Sequence, residues 1–333
     1  MKQLLAYCLS IILCVSFTGC MENYLDLYPE DKITSASFPE NESDIKLLLN
    51  GVYAQLREKE VYNQGLFGFG ITDGATPNAF NWGTDEVFNK LGAGRLSSSD
   101  GGVVTYRWKR CYEIISRANY LLACMDLVDL SEEAKAKYSG ETHFLRGLAY
   151  SVLAETYGGV PIILTNISTE EARSLKRASL EETWQQALDD YEVAITNLGV
   201  DAPEPGRATK GAALGMKMRA YLYQGKYKEV LACVEQIDAL KKYGLFHSYE
   251  GLFDPANENN KEVLFDIQYI EGENSQGSYI DQYCGTGTGS WTRGSRYVPT
   301  DDLVAAYETI DGSPVDPENP YEKRDPPLGF TAV

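Results

Sequence analysis

The stretch ALGMKMRAYLYQGKYKEVLACVEQI, residues 213–237, decides the fold. Apolar residues recur every three or four positions on both sides of Gly225, which is the period of a helix with one buried face. Small residues of the first helix are expected to face tyrosines of the next. The stretch therefore predicts two helices that pack side by side and are joined at Gly225.

The same period continues over residues 108–242, where we expect at least five helices with short connections and therefore antiparallel neighbours. The first of them has Asn119 in its apolar stripe, and we expect this side chain to be buried and to bind a backbone group. A later helix opens with Ser179 and Glu182, which fit a capping box, and places Trp184 at helical spacing behind it. Such helix pairs resemble tetratricopeptide hairpins and predict a mainly α fold.

Two long segments lack this period. Residues 62–107 and 272–299 are rich in Gly, Asn, Ser and Thr and contain scattered aromatic residues. Loops of this length are usually functional or disordered, and the aromatic residues argue against disorder. EVLFDIQYI, residues 262–270, alternates apolar and polar positions and predicts a strand, and residues 302–312 predict a last short helix. We thus expect a tetratricopeptide-like helix-pair scaffold with long aromatic loops and a few short strands.

The amino terminus has the pattern of an export signal. Lys2 is followed by fourteen mostly apolar residues, 4–17, which are too few to cross a bilayer as a helix of ~20 residues. Small residues then precede Cys20, as signal peptidase for bacterial lipoproteins requires. We expect residues 1–19 to be a lipoprotein signal peptide and Cys20 to carry the lipid. An ordinary signal peptide and an uncleaved anchor are the alternatives.

Composition argues against several functions. The formal net charge of −18 repels phosphate backbones, so we expect no nucleic-acid partner. With two histidines and no paired cysteines we expect no metal and no cofactor, and we interpret His143 as structural. GTGTGS, residues 285–290, lacks the Lys-Ser/Thr pair of a phosphate-binding loop. Nothing pairs two carboxylates ~5–9.5 Å apart as in a glycosidase, so no catalytic residue is predicted.

Seven motifs occur in order and together resemble the SusD/RagB family of outer-membrane nutrient-binding lipoproteins of Bacteroidetes. They are YLDLYPEDKIT (24–34), ISRANYLL (115–122), FLRGLAY with YGGVPI (144–162), GRATKGAALGMKMRAYLYQGKY (206–227), LFDPANENNKEVLFDIQY (252–269), YVPTDDLVAAYETIDG (297–312) and NPYEKRDPPL (319–328). The resemblance covers essentially all of residues 20–333.

The resemblance implies a non-catalytic surface lipoprotein of the cell outer membrane. Such a protein captures oligosaccharides and delivers them to a SusC-like TonB-dependent transporter. It implies an N-terminal SusD-like region at 20–242 and the start of the C-terminal region at 243–333. This chain has Arg324-Asp325-Pro326-Pro327 where the family usually has Arg-Asp-Pro-Arg. It also stops at Val333 where family members continue, so we expect a truncated C-terminal region.

We expect any sugar site to lie where the two aromatic loops meet. A pyranose ring has an apolar face and an edge of hydroxyls, so it needs a flat aromatic platform with polar groups at the rim. The candidates are Asp73, Asn78, Asn81 and Trp82 in the first loop, and Tyr283, Trp291, Arg293 and Tyr297 in the second. Alternatively, Trp82 and Trp291 plug the underside of their loops. The alternative functions are a helical-repeat scaffold lipoprotein that binds a protein partner and a truncated fragment that binds nothing.

Overall fold

The structure is a computed structural model that describes residues 38–58, 73–81, 90–97, 99–269 and 297–328. The chain separates after Glu40 into two units. Of the first, only residues 38–40 are described, with a cis peptide bond between Phe38 and Pro39. The predicted signal peptide and Cys20 lie outside the described residues. No helix in the described ranges is long and apolar enough to cross a membrane.

The second unit is mainly helical in its described part, as predicted. Its α-helices are α1 (Glu42–Tyr53), α2 (Val103–Cys124), α3 (Glu132–Tyr157), α4 (Thr169–Ser174), α5 (Leu180–Asn197), α6 (Lys210–Tyr223), α7 (Tyr227–Ala239), α8 (Tyr249–Leu252) and α9 (Asp301–Ala306). Its strands, β1 (Ala79–Asn81) and β2 (Tyr297–Pro299), pair antiparallel. The prediction of at least five helices within 108–242 is confirmed.

The helix caps follow from the sequence. Ser179 caps α5 by accepting a hydrogen bond from the Glu182 N–H, while the Glu182 carboxylate accepts from the Ser179 N–H, so the predicted capping box is confirmed. Helix α2 starts five residues before the predicted Trp108. Gly102 leads into it at a φ of +64°, a conformation that favours glycine. Residues 103–105 are β-branched and have a low helix propensity. The sequence pattern therefore did not predict this first turn.

Helices α2, α3, α5, α6 and α7 pack in a row, each on the next, and α1 packs on α2 and α3. Helix α3, which packs on α1, α2 and α5, is buried along most of its length. A Cβ atom at Gly147 would lie 3.0 Å from the Tyr191 ring and 3.1 Å from the Ala187 carbonyl oxygen, so a glycine allows α3 and α5 to approach closely. Trp184 is buried in the same core, as its helical spacing predicted.

The strand predicted at residues 262–270 is not confirmed. The segment, described through Tyr269, has a turn at Glu262 and a bend at Leu264, and its backbone forms no ladder within the described ranges. Its alternation instead reflects packing against the helices, because the Phe265 ring lies 4.9 Å from the Phe144 ring. A strand needs a neighbouring strand for its hydrogen bonds, and alternation alone does not indicate whether one is present.

Candidate functional site

Strands β1 and β2 form a two-stranded ribbon that joins the middle of the first aromatic loop to the end of the second. Asn81 lies opposite Tyr297, and Phe80 lies opposite Val298. Thr300 extends the connection, because its N–H donates to the Asn78 carbonyl oxygen at 3.1 Å and its hydroxyl donates to the Pro77 carbonyl oxygen. Residues 223 positions apart in sequence are thereby neighbours.

The structure places part of the predicted ligand set at this ribbon. Asp73 and Asn78 are exposed on the turn before β1. Asn81 and Tyr297 are paired through the ribbon backbone. Four candidates lie outside the described residues, and their role remains a prediction: Trp82, Tyr283, Trp291 and Arg293.

The turn before β1 is closed by its own hydrogen bonds. The Thr76 hydroxyl donates to the Asp73 carbonyl oxygen at 2.8 Å, and the Asn78 N–H donates to the Thr76 hydroxyl at 3.2 Å. Asp73 and Asn78 take part in these bonds through their backbone groups. Both residues are exposed, and neither bond involves the Asp73 carboxylate or the Asn78 side-chain amide. Phe80, which the sequence analysis did not select, follows with 52% of its surface exposed. An exposed ring near a carboxylate and an amide suits a ligand with apolar faces and hydroxyl edges.

The segment after β2 is shaped by Arg324. This buried side chain donates to the Pro320 carbonyl oxygen at 2.9 Å, and to the Val304 and Tyr307 carbonyl oxygens at the end of α9. The Ile310 N–H donates to the Lys323 carbonyl oxygen at 2.8 Å. This bond connects the chain that follows α9 to the chain just before Arg324. Arg324 of the Arg-Asp-Pro-Pro motif therefore connects the chain at 320–324 to the end of α9.

Two of the other motifs meet in a buried polar cluster. Arg146, in FLRGLAY, donates to the Asp190 carboxylate at 2.7 and 3.0 Å and to the Asn119 side-chain oxygen at 2.8 Å. Asn119, in ISRANYLL, then donates to the carbonyl oxygens of Ile163 at 3.0 Å and Thr165 at 3.3 Å. The prediction that Asn119 binds backbone groups is confirmed. These motifs hold the segment that leaves α3 in place.

The GRATK motif forms a second cluster with α1 and α3. The Tyr53 hydroxyl donates to the buried Glu141 carboxylate at 2.8 Å and accepts from the Ala208 N–H at 2.9 Å. Arg207 lies 3.4 Å from the same carboxylate and above the Tyr53 ring. Burial raises the pKa of Glu141, against the opposing effects of the Tyr53 hydroxyl and Arg207. Through these polar contacts the Glu141 carboxylate connects α3 to α1 and to the chain before α6.

His143 makes a local contact on α3. Its Nδ1 atom lies 2.8 Å from the Ser139 carbonyl oxygen, and burial lowers its pKa. Within the described ranges no three His, Cys, Asp or Glu side chains are arranged to hold a metal ion. Burial raises the pKa of the Cys111 thiol to about 12, as expected for a structural thiol. These contacts agree with the structural interpretation of His143.

The model of one protein family, SusD-like_3, described as "Starch-binding associating with outer membrane", matches residues 23–222. The chain belongs to this SusD-like family, whose members are carbohydrate-binding proteins and not enzymes. The resemblance found in the sequence is thereby confirmed. The tetratricopeptide-like helix pairs agree with solved SusD-like structures.

Three relatives illustrate the match. SusD-like protein P25 of Formosa agariphila is 26% identical over 321 residues, which cover 90% of this chain and 58% of that protein. A SusD-like carbohydrate binding protein from Bacteroides fragilis superposes with a TM-score of 0.77 at 28% identity, over 87% of this chain and 59% of the other. A second SusD-like protein from Bacteroides fragilis has a TM-score of 0.75 at 25% identity, over 90% and 62%. The chain thus spans about three-fifths of the length of these relatives.

Proposed function

We propose that the chain belongs to a non-catalytic, glycan-binding lipoprotein of the outer-membrane surface. The observation that carries this proposal is the family match over residues 23–222, which covers more than half of the chain. The ligand is a neutral oligosaccharide or polysaccharide. A net charge of −18 opposes polyanionic ligands and suits a site that works through aromatic rings and hydroxyl-binding polar groups.

The ligand site of this proposal lies at the ribbon and the loops that it joins. The pairing of Asn81 with Tyr297 supports it, because it connects the middle of the first predicted loop to the end of the second. Trp82 directly follows Asn81 in sequence, so the first predicted platform residue is one position from the ribbon. Exposed Asp73, Asn78 and Phe80 add polar and apolar groups in β1 or in the turn before it. Binding residues on loops held by a rigid scaffold are common in ligand-binding proteins.

The proposal includes a membrane anchor and a transport partner. Cys20 carries the lipid, and multiple acylation there makes the attachment stable, because a single chain anchors only marginally. The protein delivers its glycan to a SusC-like TonB-dependent transporter, with the helical row as the surface that faces it. The experiment is purification of the tagged protein from outer membranes. A SusC-like transporter should co-purify, and its absence would contradict this part of the proposal.

The glycan site is tested by calorimetry or affinity electrophoresis against neutral polysaccharides, including starch and laminarin. Trp82→Ala and Trp291→Ala should each weaken binding by ~5- to 150-fold, because one ring face contributes ~1–3 kcal/mol on area grounds. Trp108→Ala is the matched control, because its ring packs on Tyr112 at 5.0 Å and on Tyr157 at 5.2 Å within the helical row. It should lower stability and leave affinity unchanged.

Two outcomes would overturn the site. If a glycan binds and neither loop substitution weakens it, while both unfold the protein, the two rings are core residues and the site lies elsewhere. If the wild type binds no polysaccharide in the panel, the alternative of a non-binding fragment is favoured. The anchor is tested separately with a labelled fatty acid, which should mark the wild type and not Cys20→Ser. A label that persists on the serine variant would contradict lipidation at Cys20.

A further inference from the structure

A cleft of about 260 Å³ lies between the end of α1 and the chain at 265–268. One wall comes from residues 50–57, which include the short 3₁₀ helix Ala54–Arg57 that follows α1. The other walls come from residues 204–207 and 265–268. We use the name Arg57 cleft for this space. The ribbon contributes no described residue to the lining, so the Arg57 cleft is separate from the proposed glycan site.

The turn at residues 204–207 approaches the chain at 265–268 closely. Gly206 has a φ of +78°, a conformation that favours glycine, and a Cβ atom there would lie 2.7 Å from the Gln268 Cγ atom. The Gln268 side-chain amide in turn donates to the Asp266 carboxylate at 2.7 Å. Gln268 is thus held against the turn and orients an acidic group in the lining of the cleft.

The charged side chains of the lining differ in their partners. Arg207 lies 3.4 Å from the carboxylates of both Glu141 and Glu204. Arg57 and Asp266 also line the cleft, and both are partly buried. In the described part of the chain neither of them forms an ion pair, and none joins the two. A partly buried charge has lost part of its hydration, so a ligand that supplies the opposite charge binds favourably there.

Both charges lie beside the same stretch of chain. Burial raises the pKa of Tyr269, and the positive charge of Arg57 opposes this rise, so the guanidinium lies near the Tyr269 hydroxyl. Tyr269 follows Asp266 by three positions in sequence. Phe265 and Ile267, which flank Asp266, line the same cleft and give it an apolar part. The Arg57 cleft therefore combines a cation, an anion and an apolar surface.

We propose that the Arg57 cleft binds a free α-amino acid with an apolar side chain. The carboxylate of the ligand binds Arg57, its ammonium group binds Asp266, and its side chain contacts Phe265 and Ile267. Such a ligand supplies one charge of each sign and has no net charge, so the formal charge of −18 does not repel it. A neutral sugar supplies neither charge. The site is additional to the proposed glycan site and does not depend on it.

The test is calorimetry on the purified full chain with leucine as the probe, together with amide hydrogen exchange. Leucine should bind one-to-one and should slow exchange over residues 265–268. Two analogues of leucine each lack one charge: 4-methylpentanoate has no ammonium group, and 3-methylbutylamine has no carboxylate. Each analogue should bind at least ~10-fold more weakly than leucine, because a contact between opposite charges is lost.

Arg57→Gln and Asp266→Asn each remove one of the two charges and should weaken leucine binding at least ~10-fold. Arg57→Gln should also lose the preference for leucine over 3-methylbutylamine, and Asp266→Asn the preference over 4-methylpentanoate. A general structural effect would not remove one preference and keep the other. The matched control is Arg173→Gln, which changes the same residue type at an exposed position on α4 and should bind leucine like the wild type.

Three results would overturn the proposal. The first is that leucine does not bind, or that both analogues bind the wild type as tightly as leucine does. The second is that Arg57→Gln and Asp266→Asn bind leucine as well as Arg173→Gln does. The third is that glucose slows exchange over residues 265–268 and leucine does not, which would assign the cleft to a sugar.

Discussion

The helical row and the ribbon segment are held together by different kinds of contact. In the row, α2 to α7, large side chains such as Phe144, Tyr150 and Tyr191 are fully buried between helices. In the ribbon segment, residues 73–81 and 297–328, three residue pairs between β1 and β2 and the bonds of Thr300 and Arg324 fix the backbone. Phe80 there remains half exposed. The row thus owes its stability to apolar burial, and the ribbon segment owes its shape to hydrogen bonds.

The helical row is the scaffold of the protein, and the ribbon segment holds the described part of the candidate site. The Arg146 and Glu141 clusters use family motifs to fix the scaffold, so the presence of these motifs identifies the fold. Among the candidate ligand residues, Asp73 and Asn78 are exposed beside the ribbon, and an exposed position restricts the choice of side chain less than a buried one. A ligand site can therefore change in sequence while the scaffold remains recognisable.

The largest expected effect is in the row. Trp184→Ala removes a buried indole between α5 and its neighbours and should lower the free energy of unfolding by ~3–5 kcal/mol. Thermal and urea unfolding measure the loss, and Trp184→Phe, which keeps an aromatic ring, should lose less. Equal melting temperatures for the wild type and Trp184→Ala would contradict the burial of this residue and with it the contrast between the two regions.

Breaking the buried ion pair of the row should have the next largest effect. Asp190→Ala leaves Arg146 buried without its carboxylate partner, which typically costs ~3–5 kcal/mol. The control is Asp126→Ala, because the Lys135–Asp126 pair is exposed and such pairs contribute ~0–1 kcal/mol. Chemical denaturation compares the two variants. Similar losses would show that the Arg146 cluster is not what holds α3 to α5.

Arg324→Lys tests the ribbon segment. A lysine ammonium cannot reproduce the planar donor set that reaches three carbonyl oxygens, so the local free energy should fall by ~1–3 kcal/mol. Hydrogen exchange should become faster at the end of α9, while the melting temperature falls less than in Asp190→Ala. A fall as large as in Asp190→Ala would show that the ribbon segment and the row unfold as one.

The smallest effect is a pH dependence at His143. Burial lowers its pKa in the folded state, so the unfolded chain takes up the proton first as the pH falls below the ordinary value of 6.5. The associated stability is complete above that pH and is lost as the pH falls through the lowered pKa. Between pH 7.5 and 5.5 the wild type should lose more stability than His143→Gln in thermal unfolding. Parallel pH profiles would contradict burial of the imidazole.

Local sequence determined the helices of this protein. The period of apolar residues located α2, α3, α5, α6 and α7 in outline, Ser179 and Glu182 marked a helix start, and the spacing placed Asn119 and Trp184 inside. These features depend on residues three or four positions apart, which are neighbours on any helix. The export signal and the family motifs are likewise contiguous in sequence.

Tertiary structure decided which elements meet. Asn81 is opposite Tyr297, Arg146 bonds to Asp190, and the segment at 262–269 packs on helices without a strand partner among the described residues. Alternation indicates which side of an extended chain is buried, but its hydrogen-bond partner comes from a distant part of the chain. Helix α7 likewise has apolar residues, Tyr227 and Leu231, that its sequence alone would allow to be buried. Only the folded chain shows that they are exposed, because burial is a property of the packed molecule and not of one helix.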